Sequence, residues 1–241
     1  MGVNRSASQL KQYARGILLG NYSKAISLIV FTNLAITTLT LVLGQSAPLS
    51  APGLIIDYLI SFLITLIGCL FQVGLYSFYL NLACKQKINF KDLFTGFTLF
   101  PEKTVLSQFF IRLLSFCCFL PGLLTLMTGY FQDNNNSLIY GLLLLLSGIP
   151  FYLWISLVFS QSYFILLDFP QSTALELLKK SAALMKGQKL RLFLLELSFL
   201  PMLLLGLLSF GIGLLFVLPY QSMTYTLFYL DLVQNNHTDS N

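Results

Sequence analysis

The stretch DFPQSTALELLKKSAALMKGQKLR, Asp168 to Arg191, is the only long polar break in the C-terminal half of the chain. It carries its own helix signals. Thr173 and Glu176 fit a capping box, in which two side chains satisfy free backbone donors at a helix start. Gly187 is placed to stop that helix. At 100° per residue, Ala174, Leu175, Leu178, Ser181, Ala182 and Met185 fall on one face. Glu176, Lys179, Lys180 and Lys186 fall on the opposite one. A short basic amphipathic helix between two very apolar stretches is predicted to lie in a membrane interface.

What flanks this segment sets the fold class. The 241 residues are 56% hydrophobic and 10% charged, against about 25% charged in soluble domains. The expectation is an all-α, polytopic helical membrane protein, built as one integral membrane domain over 1–241. Runs such as Leu142 to Leu146 do not alternate, so a β-barrel does not fit. Thirteen of the 14 Lys and Arg residues sit in three clusters beside apolar spans, and Arg112 lies inside one. Such flanks set topology and touch anionic headgroups, so the net charge of +5 points to the lipid bilayer and anionic lipid rather than to nucleic acid.

Working outward to the N-terminus, 5–24 is a second interfacial helix. Leu10, Ala14, Ile17 and Leu18 share a face, with Lys11 and Arg15 on another. Four positive charges before the first span place the N-terminus in the cytoplasm. The predicted spans are 25–43, 54–82, 105–130 and 138–167, with a kink at Pro150. The segment from Lys85 to Lys103 is cytoplasmic, and Asn89 to Phe94 makes a short turn there. After the cytoplasmic amphipathic segment 168–191, the 42 residues from Leu192 to Val233 would make a helix of about 63 Å, twice a bilayer core of about 30 Å. Breaking it at Ser209 to Gly213 gives spans 192–209 and 213–232, then a polar tail at 233–241. The expectation is six spans, with five as the alternative and the C-terminus in the cytoplasm.

An internal repeat supports this division. Ala14, Leu18-Leu19-Gly20-Asn21 and Lys24 match Ser181, Met185-Lys186-Gly187-Gln188 and Arg191 at a constant offset of 167. Phe78-Tyr79-Leu80-Asn81-Leu82 matches Phe228-Tyr229-Leu230-Asp231-Leu232. Each unit is an interfacial helix followed by a two-span hairpin, a plan some transporters use.

Chemistry-bearing motifs are scarce. His237 is the one histidine, in the polar tail, which excludes His-rich metal sites. Cys69, Cys84, Cys117 and Cys118 have no metal-ligand spacing and read as small buried hydrophobes. No nucleophile elbow, phosphate loop or zinc-protease motif is present. No cofactor and no enzymatic activity are expected.

Two features are sharper. Arg112 and Glu196 lie inside apolar spans, roughly 10 Å and 7 Å from their cytoplasmic ends. Intramembrane charges are costly and usually paired, so the two are expected to meet as a buried ion pair. Pro219 should open the last span and free a carbonyl for Gln221, Ser222 or Thr224. With Gln161, Tyr163 and Tyr220, these residues form a candidate polar pocket. Lys179, Lys180, Lys186, Lys189 and Arg191 are candidate lipid-headgroup contacts.

Phe164-Ile165-Leu166-Leu167-Asp168, Leu178-Lys179-Lys180-Ser181 and Leu184-Met185-Lys186-Gly187 carry a family resemblance. So do Gly211-Ile212-Gly213, Leu218-Pro219-Tyr220 and, near the start, Ala14-Arg15, Leu18 and Gly20-Asn21-Tyr22. On these residues the chain resembles an uncharacterised bacterial integral-membrane family, domain of unknown function 975. The resemblance covers both ends and leaves spans three and four weakly matched. Leu200-Pro201-Met202 stands where that family has a tryptophan. It implies a bacterial plasma-membrane protein and carries no catalytic residue across. Two functions follow as expectations. The first is a non-enzymatic accessory or scaffold protein, acting with a membrane-protein partner or anionic lipid. The alternative is a small transporter or permease-like protein built from two hairpin repeats.

Overall fold

The computed structural model describes residues 5–43, 51–132 and 135–239, and every regular element among them is helical. Most of the expected outer loop at 44–53, and Asp133, fall outside the described residues. In chain order the helices are α1 (Ala7–Leu18), α2 (Tyr22–Leu43), α3 (Ala51–Ala83), a 3-10 turn (Phe90–Phe94), α4 (Thr95–Thr98), α5 (Pro101–Phe131) and α6 (Asn135–Phe159). There follow α7 (Ser162–Asp168), α8 (Ala174–Leu184), α9 (Lys189–Leu197), α10 (Leu200–Leu208) and α11 (Leu214–Asp239).

Five segments are long and apolar enough to cross a bilayer: Tyr22–Leu43, Leu59–Ala83, Pro101–Tyr130, Asn135–Asp168 and Lys189–Leu208. This is the build of a polytopic helical membrane protein, with five such segments rather than the six favoured from sequence. The sixth expected span is a continuous helix, α11. Tyr220, Gln221, Ser222, Thr224 and Asp231 interrupt its apolar run, and it is not among the five. It is sheltered by the chain instead, with Met223, Phe228 and Tyr229 fully buried.

The second half of the chain closes as a hairpin around that helix. Arg191 bonds Asp231, Phe199 packs edge-on against Tyr220, and Gly206 abuts Leu214, so α9 and α10 run antiparallel to α11. The hinge between α9 and α10 falls at Ser198 and Phe199, just ahead of Pro201. Proline has no N–H to donate and its ring clashes with the carbonyl four residues back. At the hairpin turn, Gly211 has φ of +84°, a conformation that costs little only for glycine.

Helix α1 lies along α11 rather than standing apart from the bundle. Leu10, Ala14 and Leu18 are buried. Arg5 pairs with Asp231, and the Arg15 guanidinium donates to the Tyr220 hydroxyl at 3.1 Å. Lys11 donates to the Ser198 carbonyl at 3.0 Å and lies over the Phe199 ring. Burial there holds the Lys11 ammonium below its usual range, and Arg15 adds to the effect. Three cations that read as interfacial are thus turned onto the last helices.

The repeat is visible in the local geometry. Ser6 with Gln9 and Thr173 with Glu176 both close capping boxes. Gly20 and Gly187 both take positive φ, at +85° and +78°. Helices α2 and α9 begin at Tyr22 and Lys189. Every one of these pairs is 167 positions apart. Leu10 and Leu177, Ala14 and Ser181, and Leu18 and Met185 are equivalent and equally buried.

Helices α5 and α6 form a long hairpin in which Gly122, Gly129, Gly141 and Gly148 let the backbones approach. The segment after α3 folds back onto it. Ideal Cβ atoms on Gly74 and Gly96 would lie 1.8 Å and 2.2 Å from the carbonyl oxygens of Leu93 and Leu70. Pro150 and Pro219 both sit inside uninterrupted helices. The helical run of the fourth span is interrupted at Ser160 and Gln161, between α6 and α7.

Candidate functional site

Polar side chains inside the apolar helices stand at helical spacing. On α3, Ser61, Thr65, Gln72 and Tyr76 fall on one face, with Gly68 and Cys69 leaving room between them. On α5, Gln108, Arg112 and Ser115 recur at four and three residues. Ser156 on α6 is followed four residues later by Ser160, just past the helix end. These stripes converge.

They line a row of three abutting cavities. The first, about 630 Å³, lies between α2, α3 and α5, with Thr40, Ser61, Gln72 and Arg112 in its wall. The second, about 250 Å³, is bounded by α5, α6, α7 and α9, with Ser115, Ser156 and Glu196 in its wall. Tyr76, Gln108, Arg112 and Tyr163 belong to both. The third, about 230 Å³, is lined by Tyr76, Gln221, Ser222 and Tyr225, and Tyr225 joins it to the second. At the junction Tyr163 donates its hydroxyl to Gln108 Oε1 at 2.6 Å and stacks on Tyr76. That arrangement ties α3, α5 and α7 at one point.

Arg112 and Glu196 therefore face one cavity, as their matched depths predict. The direct ion pair is not formed. Among the described residues the ion pairs within 4.0 Å are Arg5–Asp231 and Arg191–Asp231. Both charges line the second cavity, one from α5 and one from α9.

The predicted polar pocket is only partly assembled. Tyr163 and Gln221 line adjoining cavities. Tyr220 is turned to the other side of α11, against Arg15 and Phe199. Gln161 is fully buried, with its amide donating to Ser160 Oγ. Thr224 bonds the Tyr220 carbonyl four residues back. That is an ordinary helical back-bond, not capture of a carbonyl freed by Pro219.

The five candidate headgroup contacts divide. Lys179 and Lys186 are exposed. Lys180 reaches Ser172 and the Phe169 ring, and Lys189 lies over Trp154. Arg191 is taken by Asp231 and by the Arg5 carbonyl, because a nearly buried carboxylate on α11 sits within its reach. On α8 the buried face is Ala174, Leu177, Leu178 and Ser181, while Leu175 is exposed. The face is rotated from the predicted one by the turn in which α8 meets α7 and α6. Ser181 donates there to the Val158 carbonyl.

Of the four free cysteines only Cys69 is buried; Cys84 and Cys117 are exposed and Cys118 is half-buried. Among the described residues no cluster of three His, Cys, Asp or Glu is placed to hold a metal.

A family model described as Protein of unknown function (DUF975) matches residues 1–236. No curated protein and no solved structure matches the chain.

Proposed function

The chain belongs to this family of proteins of unknown function, and we propose from its cavities that it is a permease-like protein of a bacterial plasma membrane, admitting a small polar solute to an intramembrane chamber. One observation carries the reading: three cavities share lining residues and present a continuous run of polar groups inside apolar helices. Ionisable groups at membrane depth are costly and mark solute and ion paths, and Arg112 and Glu196 both line the second cavity. Sites near the midplane between two repeats are how several transporter folds are built. The proposed orientation keeps the N-terminus in the cytoplasm, as the cations of the first twenty-odd residues favour. We assign no catalytic step.

The test is access from water. Single cysteines at Gln72, Ser156 and Ser222, one per cavity, are introduced into a chain whose native cysteines are replaced by serine. A charged, membrane-impermeant thiol reagent should modify all three in intact vesicles or open membranes. A cysteine at Leu143, which is exposed on α6, is the lipid-facing control. No reaction at any chamber position sinks the reading.

The accessory or scaffold reading draws support from a different observation. Lys179 on α8 and Lys186 in the turn after it are exposed, and each charge near an anionic surface contributes about 1 kcal/mol. A protein partner recovered in fixed stoichiometry in mild detergent, together with unreactive chamber cysteines, favours that role.

A further inference from the structure

Resting on the chamber reading, the charge pattern of the second cavity narrows the class of solute. Arg112 and Glu196 enter it from different helices and do not touch each other. Two opposite charges at membrane depth gain most by meeting, and here a space of about 250 Å³ separates them. That space is smaller than the roughly 300–1,000 Å³ of drug-sized pockets, so the part of an occupant held between the two charges is small.

The neutral groups of the wall supply both donors and acceptors. Gln108 Oε1 already accepts from Tyr163, which leaves the Gln108 amide N–H groups as donors beside Arg112. The hydroxyl protons of Ser115 and Ser162 are spent on the carbonyls of Ile111 and Phe159. Their oxygens are left as acceptors. The cation with the Gln108 donors beside it suits an oxyanion, and the carboxylate that enters from α9 suits an ammonium.

We propose that this cavity holds a small zwitterion, its oxyanion on Arg112 and its ammonium on Glu196. Two sources supply that chemistry: a free amino-acid-like solute, or the headgroup of an ethanolamine phospholipid entering between the helices.

The experiment uses the full chain in mild detergent. Melting temperature is followed against glycine, β-alanine and γ-aminobutyrate, which step the distance between charges, with acetate and ethylamine as single-charge controls. Nanodiscs of phosphatidylethanolamine and of phosphatidylglycerol form the second arm. The expected result is that one zwitterion stabilises at concentrations where neither control does. Glu196→Gln should weaken its apparent affinity about tenfold or more while leaving any acetate response intact. Arg112→Gln should abolish both responses, and Arg112→Lys should restore part of them. Stabilisation by phosphatidylethanolamine alone, lost in the same variants, assigns the lipid source. Equal stabilisation by acetate and every zwitterion overturns the role of Glu196. Silence from all probes, in a protein whose chamber cysteines do react with aqueous reagent, overturns the zwitterion and leaves the chamber standing. Unreactive cysteines remove the chamber itself.

Discussion

Ser6 and Thr173, 167 positions apart, cap the first helix of each half with the same reciprocal bonds. The Ser6 hydroxyl accepts from Gln9 N at 3.3 Å while its own N–H donates to Gln9 Oε1 at 2.9 Å. The Thr173 hydroxyl accepts from Glu176 N at 3.4 Å and its N–H donates to Glu176 Oε2 at 3.0 Å. Removing a cap of this kind costs about 1 kcal/mol. Ser6→Ala and Thr173→Ala should each lower stability in detergent by that amount, and the double variant by their sum, since the two caps share no partner. At the other end of each helix, Gly20→Ala and Gly187→Ala should cost about 1–2 kcal/mol through the left-handed backbone. A loss at one site with none at its equivalent would mean that the two halves do not share a local design.

Asp231 is a nearly buried carboxylate that holds two guanidinium groups, those of Arg191 and Arg5. Their side chains are 20% and 38% exposed, against 3% for Asp231. Breaking a buried pair from one side typically costs about 3–5 kcal/mol, while an exposed pair is worth about 0–1 kcal/mol. Asp231→Asn is therefore expected to destabilise by about 3 kcal/mol and Arg5→Gln by less than about 1 kcal/mol. Unfolding of the two variants in parallel decides this. Equal losses would place the weight of the cluster on α1. The equivalent positions in the first half, Lys24 and Asn81, carry no such pair, and Asn81 donates instead to Asp92 at 3.3 Å.

Glycines separate close approach from mere helix propensity. A Cβ at Gly74 or Gly96 would run into the backbone of Leu93 or Leu70, and backbone cannot rotate out of the way as a side chain can. Gly74→Ala and Gly96→Ala should each unseat the folded-back segment at 90–98 and cost more than about 2 kcal/mol, as overpacking does. Gly16 has nothing within 4 Å of an added Cβ and lies inside α1. Gly16→Ala should instead stabilise by up to about 1 kcal/mol. A stabilising Gly74→Ala would show that the segment does not pack on α3.

Much of this architecture is legible in the chain because local chemistry sets it. Thr173 with Glu176 announces a helix start, Gly187 a turn, and the 167-residue offset the equivalence of α1 and α8. What was not legible depends on partners distant in sequence. Leu175 and Leu177 are equally apolar, and only the docking of α8 beside α6 and α7 decides that Leu177 is inside. Arg191 reads as one more surface cation until Asp231, forty residues on, is placed beside it. The chamber did leave a signal. Ser61, Thr65, Gln72 and Tyr76 at helical spacing are a polar stripe in an apolar span, and Gln108, Arg112 and Ser115 are another. Reading charges singly finds Arg112 and Glu196 but not the stripes that separate them.

That separation has an energetic consequence. If Arg112 and Glu196 touched, removing either would strand the other, and the double substitution would cost less than the two single ones together. In the chamber reading water fills the cavity, so each charge is solvated on its own and the high dielectric weakens their attraction. Without added solute, Arg112→Gln and Glu196→Gln should therefore be additive to within about 0.5 kcal/mol. The exchange Arg112→Glu with Glu196→Arg should recover nothing. In the presence of a stabilising zwitterion the same cycle should become strongly non-additive, because the bound molecule links the two residues. Coupling above about 1 kcal/mol in the empty protein would place the residues in direct contact, and the cavity would then be closed by the pair rather than held open between them.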